Sequence, residues 1–227
     1  MVGSLAQPLL FLVSLGYGFG AIFQKAGQGN YIEFLAPGII GMSIIFTSIF
    51  SGLEIIWDRQ FGFLKETMVA PVSRLSIMIG RTLGGATVAT MQGVVVFLIS
   101  LLAGFRPEHW LLMPIVLLVM LLVALLFTAF GTMIASFLDD MQGFQLIMNF
   151  VVMPLFFLSG ALFPLSGQKS VIVTIARFDP LSYGIDAFRY LMTGTSHFSL
   201  GVDLVALSSA TAIFLVLGSY FFSKIQL

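Results

Sequence analysis

Hydrophobic and polar positions alternate on a long scale. Six apolar stretches, 5–23, 37–57, 83–103, 110–138, 144–164 and 203–222, are separated by shorter polar segments. A hydrocarbon layer of about 30 Å is crossed by roughly 20 helical residues, so each stretch predicts one transmembrane helix. None alternates with period two, as the strands of a membrane barrel would. The first has no basic segment before it and no small-residue cleavage site after it, so it reads as a span rather than a leader. The expected fold is an all-α integral membrane protein of six transmembrane helices, one domain over residues 1–227.

Composition strengthens this reading. Of 227 residues, 59% are apolar and 9% charged, against roughly 25% charged in soluble domains. Mean hydropathy is +1.07. The net charge is zero, which gives no electrostatic basis for nucleic-acid binding. Without cysteine there are no disulfides and no thiolate metal sites. His109 and His197 lie far apart beside connecting segments, so no metal site is expected.

Charge placement suggests orientation and limits the energy source. The second connection, 58–81, carries Arg59, Lys65, Arg74 and Arg81. Short basic loops stay in the cytoplasm, so six spans leave both termini there, in the cell (plasma or inner) membrane. The fifth connection also carries Lys169, Arg177 and Arg189 but is long and partly apolar. Four spans, 5–23, 83–103, 110–138 and 144–164, hold no charged residue, so no intramembrane ion relay is on offer. Ser166-Gly167-Gln168-Lys169-Ser170 lacks the glycine spacing and context of a phosphate loop. Uphill transport would therefore need energy from another polypeptide. An enzyme within the spans has no His/Glu/Asp cluster to use.

Within the second connection Phe61, Leu64, Lys65 and Met68 share one helix face at i, i+3, i+4 and i+7, and Pro71 stops the helix. Such a helix can lie in the membrane interface or dock in a partner's groove. Glu54 and Asp58, one turn apart, repel; Arg59 or a partner's cation is expected to compensate. Ser43, Thr47 and Ser51 form an i, i+4, i+8 stripe, and Gln145 and Asn149 a second stripe. These stripes either glue helices together or line a path. Asp139 and Asp140 form a tight turn that caps the fifth span.

Three separated segments resemble the ABC-2 family, the membrane subunits of one class of ATP-driven exporters. They are Glu66-Thr67-Met68-Val69-Ala70-Pro71-Val72-Ser73-Arg74, Asp139-Asp140-Met141-Gln142-Gly143-Phe144-Gln145, and the pair Met153–Ser166 and Phe178–Arg189. The resemblance covers about residues 1–227 and is closest to the drug-resistance and nodulation-type export permeases. It implies a cytoplasmic coupling helix resting on an ATP-binding cassette ATPase subunit, with Glu54, Asp58, Arg59, Phe61, Leu64, Lys65, Glu66, Met68, Pro71 and Arg74 as coupling residues. It implies pathway walls on spans two and five, with Ser43, Thr47, Ser51, Gln145 and Asn149 as candidates. Between spans five and six it implies a re-entrant outer gate built from Ser159, Gly160, Pro164, Asp179, Pro180, Asp186 and Arg189; a plain extracellular loop is the alternative. Arg177, Asp179, Asp186 and Arg189 are expected to pair there. This chain carries no cofactor in this reading, ATP and Mg belonging to the ATPase. The permease is expected to pair as a homodimer among membrane lipid, to bind no nucleic acid, and to export an amphiphilic or hydrophobic drug or lipid. A lipid-linked glycan, or a passive channel or scramblase, are the alternatives. The family's N-terminal amphipathic helix is read as missing, and Asp179 stands where Asn is common.

Overall fold

Helix starts in this chain are set by caps as much as by hydropathy. In a computed structural model describing residues 2–25, 30–63, 66, 71–138, 140–165 and 170–223, no strand occurs among the described residues. The helices are α1 (Val2–Lys25), α2 (Tyr31–Ser51), α3 (Leu53–Gln60), α4 (Arg74–Leu102), α5 (Met113–Phe137), α6 (Met141–Ile147), α7 (Met153–Leu158), α8 (Ser170–Phe178), α9 (Pro180–Thr193) and α10 (Leu200–Ser223). A 3₁₀ turn, Trp110–Leu112, precedes α5, and a π turn, Met148–Val152, joins α6 to α7.

Several helices begin earlier than hydropathy alone indicates. The Asn30 side chain accepts from the Ile32 amide (3.1 Å) and starts α2 six residues before Pro37. Glu33 then sits in the first turn, where the helix dipole favours an acid. The Ser73 hydroxyl accepts from the Ser76 amide (3.1 Å) and starts α4 at Arg74, well before Leu83. Asp140 caps α6 through the Gly143 amide (2.7 Å), the capping role expected of this turn; Asp139 lies outside the described residues.

Five helical stretches are long and apolar enough to cross a membrane: Tyr31–Gln60, Arg74–Leu102, Trp110–Phe137, Met141–Leu158 and Leu200–Phe222. The apolar part of α1, Leu5–Gly20, is shorter. α2 and α5 form the centre. α2 packs on α1, α4, α5 and α9, and α5 packs also on α4 and α10. Leu35, Ile39, Ile44 and Ile49 of α2 meet Val119, Val123, Leu126 and Phe127 of α5 in one buried cluster. Short hydroxyl side chains inside the helices bond their own backbone: Thr90 to Ala86 O (2.7 Å), Ser100 to Val96 O (2.8 Å) and Thr211 to Leu207 O (2.7 Å). That removes the cost of an unpaired polar group in an apolar layer.

The connections gather at two ends. At one, the Tyr31 hydroxyl donates to Leu162 O (3.0 Å) and the Glu108 amide to Met192 O (2.8 Å), tying the first, third and fifth connections together. At the other, the Trp57 indole meets Met141 Sδ (3.1 Å) and Arg59 reaches the end of α5, tying the second to the fourth. These are called the odd and even ends below.

Candidate functional site

The even end is held by two cations. Arg81 of α4 pairs with Asp58 of α3. It compensates Asp58 of the acidic pair Glu54/Asp58, and nothing in a separation of 23 residues marks it in the sequence. Arg59 donates Nη1 to Leu138 O (3.0 Å) and Nη2 to Ser136 O (3.4 Å). These are carbonyls at the C-terminus of α5, where a cation also complements the helix dipole. Glu54 is exposed on α3, and Phe61 (73% exposed) and Phe63 stand out beyond it. Glu66, Pro71 and Arg74 are likewise exposed. Leu64, Lys65 and Met68, three of the four residues of the expected amphipathic face, lie outside the described residues.

The two polar stripes fare differently. Ser43 and Thr47 border an apolar cavity of ≈ 200 Å³ between α1 and α2, together with Gln7, Pro8, Met42 and Phe46. Ser51 faces Gly85 of α4 instead, so the stripe divides between two neighbours of α2. Gln145 and Asn149 are exposed on the α6–π-turn rod, beside Leu146 and Phe150.

The odd end holds the densest polar constellation. α7 stops at Leu158, and the segment Ser159–Leu165 is not helical. The Ser159 hydroxyl donates to Phe156 O (2.7 Å) and accepts from the Ala161 amide (3.3 Å). Gly160 takes φ +80°, a region that favours glycine, and aims its carbonyl at Arg189. Arg189 Nη2 donates to Gly160 O (3.1 Å) and Phe34 O (3.4 Å), with its guanidinium carbon 4.0 Å from the Phe34 ring centre. One buried cation thus joins α2, α9 and the break after α7. Burial lowers its pKa to about 10, an effect the nearby Asp186 charge opposes, so it stays charged at neutral pH.

Asp186 does not form a close ion pair with Arg189. Its carboxylate accepts from the amides of His197 (2.8 Å) and Phe198 (2.7 Å), just before α10. Asp179 likewise caps α9, accepting from the Leu181 amide (2.9 Å) and the Ser182 hydroxyl (3.2 Å), with Pro180 in the first turn. The i, i+3 pairing expected of Asp186 and Arg189 is therefore replaced by separate backbone contacts. Arg177 is exposed, its carbonyl accepting from the Tyr183 hydroxyl (2.7 Å). Pro164 borders the cavity at this end.

Burial pushes the Asp179 carboxyl up to about 7, and the Leu181 and Ser182 hydrogen bonds oppose the shift. The folded chain therefore holds a proton that the unfolded chain releases near pH 4. That stabilisation is complete below pH 4 and is lost as pH rises through 7. Asp179→Asn keeps a capping oxygen and removes the buried charge. Its melting temperature in detergent is expected to exceed the parent's above pH 7, by an equivalent of about 1–4 kcal/mol, and to converge with it at acid pH. A gap independent of pH would refute this assignment.

The profile of the ABC-2 type transporter family matches residues 1–193. Nodulation protein J of Rhizobium leguminosarum bv. trifolii is 32% identical over 196 residues, 86% of this chain and 74% of that protein. The ycf38 protein of Cyanophora paradoxa, named as a transport permease, is 31% identical over 205 residues, 86% of this chain and 69% of that protein. Nodulation protein J of Rhizobium meliloti (strain 1021) is 26% identical over 209 residues, 91% and 79% of the two chains.

Proposed function

The chain belongs to the ABC-2 type transporter family, and on that premise we propose that it is the six-span permease subunit of an exporter driven by a separate ATP-binding cassette ATPase. ATP and Mg bind to that partner. The observation that carries the assignment is the even end. Phe61 and Phe63 project from a platform that Arg59 fixes to the end of α5 and Arg81 fixes to α4. An exposed aromatic pair on a rigid base suits docking in a partner's groove. A push on that platform reaches two spans directly, through side chains rather than through loop slack.

In this reading the even end and both termini are cytoplasmic, and the odd end is the outer gate. α8 supports a membrane-embedded gate segment: Val171, Ile175 and Phe178 are exposed on it. Left in water, they would cost about 25 cal/mol per Å² of apolar area. The exposed Gln145 and Asn149 support a homodimer. An amide side chain on an apolar span is costly against hydrocarbon, and a second copy facing it across a path removes that cost. A path walled by Phe, Met and small hydroxyls suits an amphiphilic or hydrophobic substrate, drug or lipid-like.

Phe61→Asp tests docking. The variant is expected to insert at the parent's level, because Phe61 contributes little to the packed interior, and to recover less than about a tenth of the ATPase on co-purification, in line with loss of an interface anchor. Undiminished ATPase recovery would remove the even end as the docking platform and favour a channel or scramblase that works without one.

A further inference from the structure

At the odd end the first, third and fifth connections enclose a cavity of ≈ 340 Å³, within the range of about 300–1,000 Å³ typical of small-molecule sites. Its charged lining is Glu33, Glu108, Asp186 and Arg189. These four are not equivalent. Asp186 is committed to the His197 and Phe198 amides. Arg189 is 9% exposed, held by two carbonyls through Nη2 and by the Phe34 ring, while its buried Nε has no acceptor among the described residues. Glu108 accepts no side-chain hydrogen bond among the described residues, and Glu33 has only a 3.5 Å contact with the Asn30 amide. No carboxylate among the described residues comes within ion-pair distance of Arg189.

A fixed, buried cation and two open carboxylates therefore face one cavity without neutralising each other. A simple anion would meet the two glutamates, and a simple cation would meet Arg189. A ligand carrying both signs a few ångströms apart satisfies all three. The ammonium donates hydrogen bonds, because glutamates recognise it here and the Phe34 face that could take a quaternary amine is already occupied by Arg189. We propose that this cavity binds a phosphoethanolamine group, with its phosphate at Arg189 and its primary ammonium between Glu33 and Glu108. The aromatic wall of Phe23 and Phe34 gives the adjoining carbon chain an apolar contact, which suits the headgroup of an aminophospholipid. The site rests on the exporter reading only in placing this end at the outer leaflet.

The test uses the full chain, purified in detergent and titrated by thermal shift with dihexanoyl phosphatidylethanolamine, phosphatidylcholine and phosphatidylglycerol, and with free O-phosphoethanolamine. The ethanolamine lipid is expected to bind at least about fivefold more tightly than the other two lipids, the scale of an exposed ion pair. Glu33→Gln combined with Glu108→Gln, both at exposed positions, is expected to abolish that preference by weakening the ethanolamine lipid, and not to weaken the glycerol lipid, which no longer meets their charges. Free phosphoethanolamine binding as tightly as the lipid, with the same glutamate dependence, supports the site and assigns it to the soluble group. Equal or tighter binding of the glycerol lipid, or a preference that survives both glutamine substitutions, overturns the proposal. No ATPase enters this experiment, so its failure leaves the docking assignment standing, and failed docking leaves this site standing.

Discussion

Gly38→Ala is expected to separate α2 from the break after α7 and to lower the melting temperature by roughly 2–10 °C, the range for overpacking costs of about 1–3 kcal/mol in a chain of this length. A Cβ at position 38 would overlap the Ala161 carbonyl oxygen and lie 2.9 Å from its carbon. Both are backbone atoms, so no side chain can swing aside. The same displacement pulls on two hydrogen bonds that hold the break to α2 and α9: Tyr31 to Leu162 O and Arg189 to Gly160 O. Gly84→Ala provides the comparison, since a Cβ there meets nothing within 4 Å, and alanine favours a helix over glycine by about 1 kcal/mol. Equal melting temperatures for the two variants would mean that α2 and the break do not touch as described.

Arg189→Met is expected to cost more. It leaves the Gly160 carbonyl without its donor, at about 1–3 kcal/mol for a buried acceptor, takes the second contact from the Phe34 carbonyl, and removes the charge stacked on Phe34. Arg189→Lys should fall between, because an ammonium keeps the charge but lacks the flat guanidinium that stacks on Phe34. The chain has no cysteine, so Ala161→Cys, buried in the parent, reports on the break alone. Thiol labelling there should be slow in the parent background, faster with lysine and fastest with methionine. Equal rates in all three backgrounds would show that Arg189 does not hold the segment.

The long apolar runs that become α2, α4, α5 and α10 were legible because a lipid-crossing helix leaves a signal 20 residues long. The end of the fifth span at Ser159–Pro164 was legible too, from Pro and Gly chemistry. Helix starts were less so. Hydropathy argues against Glu33, Arg74 and Arg81 in helices, but a cap at Asn30 or Ser73 and an ion pair at Asp58 outweigh it. At the odd end the expected pairing followed local spacing and the observed contacts do not. Asp186 and Arg189 sit one turn apart, so local spacing joined them. Their actual partners are 11 and 12 residues away for Asp186, and 29 and 155 residues away for Arg189. Such separations are set by how helices meet, and no periodicity encodes them. On α2, helical period puts Ser43, Thr47 and Ser51 on one side, and α1 and α4 divide that side between them.

The π turn at Met148–Val152 has a mechanical consequence. Its closing bond runs from the Met153 amide to Met148 O, one residue wider than an α-helical bond. The rod therefore carries one surplus residue between its halves. If that surplus passes along the rod, each step exchanges a single hydrogen bond and turns the intervening residues by about 100°, the angle per residue at 3.6 residues per turn. Asn149 and Phe150, now facing outward, would swing out of register with Gln145 while the ends of the rod stayed anchored at Asp140 and Ser159. A span built this way can change the face it presents to its surroundings by rotating in place, like a cam, without sliding through the bilayer or separating from its neighbours.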